Sequence, residues 1–245
     1  MMRCLQCLSA LTALPLLGLI LPGPALAAHP AECYSAARQS EIEFPLPQVA
    51  RAIAAKRLTI LVVGAGSSSL PGPNGVNNAY PARLQAALAA KLPGVEVKVV
   101  TNVKSRWRAA DMVKTMGKSL SSVKPALMIW QTATVDAMQG IVPGQFSETL
   151  EAGIDMARAA GADAIFVNPQ YSPRTESMIA LGAYVENMRW VALQRDVPVF
   201  DRFGTMKAWA DLGTFDLYSA TKKFDMAERV HDCLGLLLAD LILEA

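Results

Sequence analysis

The stretch LVVGAGSSSLPG (residues 61–72) decides the fold and raises the first question about function. An apolar, β-branched run ends in glycines, three serines follow, and a Leu-Pro-Gly turn closes the stretch. A continuous apolar run of this kind predicts a strand that is covered on both faces. The loop after it has three interpretations: a phosphate cradle, a turn that presents a nucleophilic serine, or a flexible connection.

Four further apolar runs repeat the pattern, so that the predicted strands cover residues 59–65, 95–100, 126–131, 163–168 and 197–201. The helical stretches lie between and after them, at 81–92, 107–120, 147–160, 176–194 and 226–243. This alternation predicts a three-layer α/β/α sandwich with a doubly wound sheet of about five parallel strands. Such sheets bind ligands at the carboxyl ends of their strands, so the informative residues directly follow each strand.

The glycines of the opening stretch do not predict a nucleotide site. Gly64 and Gly66 begin a dinucleotide fingerprint, but Ser69 stands at the third glycine position, and Pro71 and Pro73 oppose an immediate helix. The acidic residue that should follow about twenty positions later is absent, as is a Gly-Lys-Ser/Thr phosphate loop. A turn that presents a serine and a serine-rich loop that caps local amides therefore remain.

Residues 1–27 have the pattern of a secretory signal peptide. Arg3 gives a positive start, residues 8–20 form an apolar run, and Ala25-Leu26-Ala27 has the small-x-small pattern of a cleavage site. An uncleaved anchor is the alternative, although the run is short for a membrane span. We expect residues 28–245 to form one exported domain, periplasmic or secreted, with no membrane span after cleavage.

Cleavage would leave two of the four cysteines, Cys33 and Cys233. One pair in an oxidising compartment favours a disulfide, and two buried thiols are the alternative.

The charge balance excludes some partners. The chain has 23 Lys and Arg against 21 Asp and Glu, and loss of Arg3 leaves 22 against 21, a net charge near +1. That balance gives no reason to expect nucleic acid or an anionic membrane. His, Cys, Asp and Glu show no metal-ligand spacing, so we expect no metal and no other cofactor. The expected partner is a small molecule, bound by a monomer.

The serine stretch resembles block I of the SGNH (GDSL) hydrolases, in the bacterial branch that reads GSSSTxG…YPxRL. The matching residues here are GSSSLPG at 66–72 and YPARL at 80–84. KPALMIWQT at 124–132, NPQY at 168–171 and the segment 233–240 resemble later parts of the same family. The resemblance implies the flavodoxin-like SGNH hydrolase fold and a serine esterase, with Ser68 as the nucleophile and Ser67 in place of the family's Asp.

The family's oxyanion hole uses the nucleophile's amide, a block II glycine amide and a block III asparagine side chain. Here Arg106 stands at the block II glycine, which suits arginine only if the backbone needs no positive φ. Block III reads Ala133-Thr-Val135-Asp136, and valine cannot donate a hydrogen bond. We expect the amides of Ser68 and Arg106 to serve, with Asn102 or the Arg106 guanidinium as a substitute donor.

His231 is the expected general base, because His29 is the one other histidine after residue 27 and follows the cleavage site closely. Glu228 precedes His231 with a spacing like the Asp-x-x-His of block V, so the resemblance implies that Glu228 orients the imidazole.

A second alignment stays open. If Cys233-Leu234 is matched to the family's Cys-Leu, Asp225 occupies the His position and Lys222 occupies the Asp position. His231 then lies inside the helix in a structural role.

The crevice rim is expected to carry Gln131, Asp136 and Arg174. Arg174 can clamp a substrate carboxylate or sulfate, whereas its neighbours Thr175 and Glu176 can also be read as a helix start.

Two functions follow from these residues. The first is an exported serine esterase or acyl hydrolase that acts on a small ester or an acylated glycan through Ser68. The alternative is a catalytically degenerate SGNH scaffold that binds a ligand or partner in the same crevice.

Overall fold

The computed structural model describes residues 31–35, 44–218 and 225–245, so the expected signal peptide and Lys222 lie outside the described residues. Five parallel strands form one sheet in the order β2-β1-β3-β4-β5. Their bounds are β1 Arg57–Gly64, β2 Glu96–Val103, β3 Leu127–Gln131, β4 Asp163–Val167 and β5 Val199–Phe200. The predicted doubly wound parallel sheet is confirmed.

Helices connect the strands and cover both faces of the sheet. The described helices are α1 Ala31–Tyr34, α2 Pro47–Ala54, α3 Gly75–Asn78, α4 Tyr80–Lys91, α5 Ala109–Val123, α6 Thr134–Met138, α7 Pro143–Ala159, α8 Pro173–Met178, α9 Gly182–Gln194, α10 Arg202–Asp211 and α11 Asp225–Glu244. A 3₁₀ turn over Gly66–Ser68 follows β1. The predicted helices did not include α1, α2, α3, α6 and α10.

The core lies in two clusters, one on each side of the sheet. In β1, Ile60 and Val62 face the cluster that contains α2, α4, α10 and α11, whereas Leu61 and Val63 face α5, α7 and α9. Successive side chains of a strand point to opposite faces, so the apolar run at residues 60–63 of β1 fills both layers.

Two elements differ from the predictions. Strand β2 has no fully buried residue, because it lies at the sheet edge with β1 as its one neighbour. The predicted helix over 176–194 is two helices, since the backbone becomes extended at Ile179 (φ −137°). This break places Leu181 in the interior at 1% exposure before α9 begins.

The strand order reverses between β1 and β3, since β2 adds to one side of β1 and β3 to the other. This reversal is the topological switch point where ligands of doubly wound sheets bind. The residues that follow β1 and β3 are therefore the first place to look for a site.

Helix α11 is tied to its surroundings in two ways. The predicted disulfide between Cys33 and Cys233 is present and joins α1 to α11. Helix α11 also packs closely on α4, because a Cβ on Gly235 would lie 2.6 Å from Arg83 Cβ and 2.8 Å from the Leu84 nitrogen. Within the described residues, no helix is both long and apolar enough to cross a membrane.

Candidate active site

Ser68 lies at the carboxyl end of β1, where the glycines leave room for it. A Cβ on Gly64 would come within 2.4 Å of Ser68 Oγ, and a Cβ on Gly66 within 3.1 Å of Ser105 Oγ. Neither glycine has a positive φ, so their role is space rather than an unusual backbone. The Gly-x-Gly pattern thus lets the 3₁₀ turn fold back and hold the Ser68 side chain against β1.

The hydrogen bonds of Ser68 have a definite direction. Gln131 Oε1, at the end of β3, accepts from the Ala65 amide at 3.1 Å and from Ser68 Oγ at 3.0 Å. The Ala65 amide fixes the oxygen of Gln131 at this point, because an NH₂ group there would face another donor. Ser68 has one proton, which goes to Gln131, so the Tyr80 hydroxyl, 3.0 Å away, donates to Ser68 Oγ.

Arg202 is the first residue of α10, after its cap Asp201, and it lies next to both the Tyr80 ring and the turn that carries Ser68. Its Nη1 donates to the Ser67 carbonyl at 3.1 Å and its Nη2 to Gln170 Oε1 at 3.2 Å, while its Nε is buried without a partner. Its guanidinium carbon lies 5.7 Å from the centre of the Tyr80 ring. No carboxylate of the described chain pairs with Arg202, so its positive charge acts uncompensated on its neighbours.

The side chains of Ser68, Tyr80, Gln131, Arg202 and His231 form what we call the Ser68 cluster, and each is at most 5% exposed. Burial raises the pKa of Tyr80, and the Ser68 hydrogen bond and the Arg202 charge oppose that rise. Burial lowers the pKa of Arg202 to about 10. The phenol and the guanidinium are therefore neutral and charged, respectively, near neutral pH.

His231 lies in this cluster, and its described hydrogen bond is to Tyr80 and not to Ser68. Its Nδ1 accepts a hydrogen bond from the Tyr80 amide at 2.9 Å, so in the neutral ring the proton is on Nε2. Burial, and then the Arg202 charge, lower the pKa of His231 to about 3. Among the described residues, no hydrogen bond joins His231 to Ser68, and the geometry is that of a neutral structural acceptor.

Glu228 does not orient the imidazole in this structure. Its Oε1 accepts a hydrogen bond from Asn78 Nδ2 at 2.8 Å, which ties α11 to α3. Asp225, the residue of the second alignment, is the exposed first residue of α11. The structure therefore does not assemble the Ser68, His231 and Glu228 triad that the resemblance implies.

The oxyanion donors are also arranged differently from the expectation. The Ser68 amide donates to the Ala65 carbonyl at 2.9 Å within the 3₁₀ turn. Arg106 is exposed and has φ +65°, and Ala133 has φ +83°. The backbone is thus left-handed at Arg106, where the resemblance places the block II glycine, and at Ala133, the first residue of block III. The condition under which arginine suits the block II position without strain is therefore not met.

Asn102, the expected substitute donor, and Asp136, an expected rim residue, both bond to α5. Asn102 Nδ2 donates to Thr115 Oγ1 and Ser119 Oγ on α5. Both carboxylate oxygens of Asp136 accept from the Ala109 amide at 3.1 Å, so this buried side chain caps α5. Arg174 is exposed on α8, and its side chain makes no hydrogen bond or ion pair within the described chain.

Sequence reasoning missed Tyr80 and Arg202. Tyr80 belongs to the quoted YPARL segment, and Arg202 directly follows a predicted strand, so the rule that site residues follow strands pointed to Arg202. Their burial could not be read from the sequence, because Tyr and Arg are more often exposed in part. No group of three or more His, Cys, Asp or Glu in the described ranges could hold a metal ion.

The chain resembles several esterases. It is 30% identical to Esterase TesA of Pseudomonas aeruginosa over 120 residues, which cover 47% of this chain and 58% of TesA. The alignment with a crystal structure of TesA covers 75% of this chain and 97% of the TesA chain, with a TM-score of 0.59 and 23% identity. A catalytic mutant of an acetylxylan esterase from Geobacillus stearothermophilus gives a TM-score of 0.62 at 16% identity, over 76% of this chain and 94% of its own.

The two structural likenesses show the fold alone, at this level of identity. The family comes from the sequence: residues 32–245, which include the Ser68 cluster and both disulfide cysteines, match the model of one family. With the parallel sheet and a buried serine at the end of β1, this match identifies the chain as a member of the SGNH-type non-GDSL lipase-like family.

Proposed function

We propose that the chain is an exported hydrolase of small esters or acylated glycans and that Ser68 is its nucleophile. The observation that carries the proposal is the position of Ser68 Oγ, which lies at the β1–β3 switch point in hydrogen bonds to Gln131 and Tyr80. Family membership and the esterase names of two similar proteins support the reaction class.

In the proposed reaction Ser68 Oγ attacks the carbonyl carbon of the ester. The alcohol leaves with a proton, and water then releases the acid from Ser68. The amide and the guanidinium of Arg106 are the remaining expected oxyanion donors, since the Ser68 amide is engaged with Ala65 and Asn102 with α5. A mechanism that uses His231 as the base requires its Nδ1 to give up the Tyr80 amide.

A fluorophosphonate probe tests the nucleophile directly. We expect labelling of the wild type at Ser68 and hydrolysis of p-nitrophenyl acetate or acetylated xylan, with both lost in Ser68→Ala. Ser69→Ala is the matched control, because the Ser69 hydroxyl bonds the Gly66 carbonyl of its own loop. A wild type that is neither labelled nor faster than Ser68→Ala would refute the hydrolase proposal.

A second candidate function is a ligand-binding protein that keeps the SGNH scaffold without turnover. Two observations favour it. His231 Nδ1 is bonded to the Tyr80 amide and Glu228 is bonded to Asn78, so neither is arranged to act on Ser68. Val135 also stands where the family has an asparagine that donates to the oxyanion. Acetylated oligosaccharides that bind wild type and Ser68→Ala with equal affinity, and are not hydrolysed, would establish this alternative.

Export is part of the proposal and has its own test. The disulfide between Cys33 and Cys233 supports it, because such bonds persist in oxidising compartments. In a bacterial host, we expect the protein in the periplasm or medium, with an intact mass that corresponds to cleavage after Ala27. A full-length protein in the cytoplasm with all four cysteines as free thiols would contradict export.

A further inference from the structure

The Tyr80 hydroxyl is buried against Ser68, the proposed nucleophile. Tyr80 is 1% exposed, and its hydroxyl has one described partner, Ser68 Oγ at 3.0 Å. A buried phenol could satisfy its hydroxyl on a backbone carbonyl, as Tyr184 does on Ile141. Tyr80 instead directs its proton at the atom that the proposed reaction makes nucleophilic.

We propose that Tyr80 is the proton-transfer partner of Ser68, an inference that rests on Ser68 being the nucleophile. In the first step Oγ bonds to the carbonyl carbon and passes its proton to the Tyr80 oxygen, while Tyr80 passes its own proton to the departing alcohol oxygen. The carbon–alcohol bond breaks and the phenol ends neutral. In the second step a water oxygen bonds to the acyl carbon and gives its proton to Tyr80, which returns one to Oγ as the acyl bond breaks.

The geometry suits this exchange. In the resting arrangement Tyr80 donates to Ser68 Oγ at 3.0 Å, and rotation of the Ser68 hydroxyl from Gln131 to Tyr80 reverses the direction, so the same contact serves both transfers. The departing oxygen is attached to the carbon that Oγ attacks, which brings it within reach of the Tyr80 hydroxyl. Because the phenol gives and receives a proton in each step, no side chain has to start as a charged base.

Arg202 is the positioning residue of this pair. If the phenol proton leaves before the serine proton arrives, the Tyr80 oxygen carries negative charge for that interval. The guanidinium carbon, 5.7 Å from the Tyr80 ring centre and without a carboxylate partner among the described residues, stabilises that charge. Its bond to the Ser67 carbonyl also holds the turn that carries Ser68.

His231 has a different part in the arrangement. Its Nδ1 binds the amide of Tyr80 itself, so the histidine fixes the first residue of α4 and thereby the phenol. This accounts for a histidine that is hydrogen-bonded to Tyr80 and not to Ser68, and for Glu228 being bonded to Asn78 and not to the imidazole.

The test compares four purified variants with the wild type: Tyr80→Phe, Tyr184→Phe, His231→Asn and Ser68→Ala. We expect Tyr80→Phe to lower kcat at least about 100-fold with KM little changed, since proton transfer contributes 10²–10⁴-fold. Tyr184→Phe, another buried tyrosine whose hydroxyl donates to a carbonyl, should retain wild-type kcat. His231→Asn keeps an acceptor for the Tyr80 amide and should lose less than Tyr80→Phe.

The outcomes separate this inference from the proposed function. A Tyr80→Phe protein that unfolds at the wild-type midpoint yet turns over at the wild-type rate overturns the relay while Ser68 keeps its role. A folded His231→Asn protein that is as inactive as Ser68→Ala also overturns it and restores histidine as the base. A wild type in which Ser68 is neither labelled nor active refutes the hydrolase proposal and the relay together.

Discussion

Burial and two neighbours hold His231 in its neutral form. Its ring is 5% exposed and its Nδ1 is occupied by the Tyr80 amide, while the charge of Arg202 opposes protonation. Protonation would place a proton on the nitrogen that accepts from Tyr80 and would put a second cation beside Arg202. Protonation of His231 would therefore break the hydrogen bond to the Tyr80 amide and would lower the free energy of unfolding.

The sign of the pH effect follows from the lowered pKa. The folded pKa of His231 is about 3 and the unfolded value is near 6.5, so the unfolded chain takes up the proton first as pH falls. Stability is then lost as pH falls from about 6.5 towards 3, by at most about 1.4 kcal/mol per pH unit. Urea unfolding at a series of pH values should show a shallower loss for His231→Asn than for the wild type. Equal slopes would contradict a neutral buried histidine.

Gly64 offers a second prediction at this scale. In Gly64→Ala the new methyl group would meet Ser68 Oγ at 2.4 Å, so Ser68 must turn away from Gln131 and Tyr80. We expect fluorophosphonate labelling and any ester turnover to fall at least about tenfold, which is a cost of about 1.4 kcal/mol. Gly182→Ala, where nothing lies within 4 Å of the new atom, is the control. Wild-type labelling in Gly64→Ala would show that Ser68 does not need its present rotamer.

At the scale of elements, the contact between α4 and α11 sets the site. Helix α4 supplies Tyr80 and α11 supplies His231, and the two backbones approach closely at Gly235. Gly235→Ala should push the helices apart, because the Cβ would meet Arg83 Cβ and the Leu84 nitrogen.

We expect Gly235→Ala to lower the free energy of unfolding by about 1–3 kcal/mol in urea. Gly144→Ala, near the start of α7 with nothing within 4 Å, is the matched control and should be neutral or slightly stabilising. An unchanged urea midpoint for Gly235→Ala would mean that α4 and α11 can move apart without a loss of stability.

The sequence predicted the elements better than it predicted the site. The five strands could be predicted because their apolar runs are nearly continuous, and the position of Ser68 at the end of β1 because it directly follows one of these runs. The break at Ile179 and the burial of Arg202 depend on packing between distant segments, which local periodicity does not contain. Likewise, the acidic-x-x-His spacing described Glu228 and His231 correctly as neighbours on one helix but could not show that each had another partner.

At the scale of the whole molecule, the disulfide links segments 200 positions apart in the sequence. In the chain-entropy description, closing so long a loop stabilises by up to about 5 kcal/mol. We expect Cys33→Ala/Cys233→Ala to unfold at a lower urea concentration than the oxidised wild type. The reduced wild type should resemble the double variant, and equal midpoints for all three would show that the bond adds no stability.

The same bond also sets an order of events during biosynthesis. Cys33 is made before any of the five strands, whereas Cys233 is made after all of them. Cys33 must therefore remain an unpaired thiol while the sheet is synthesised, open to reaction with other molecules and to mispairing between chains. The native disulfide can therefore form only after the last strand has been synthesised, when all five strands of the sheet are already available to fold.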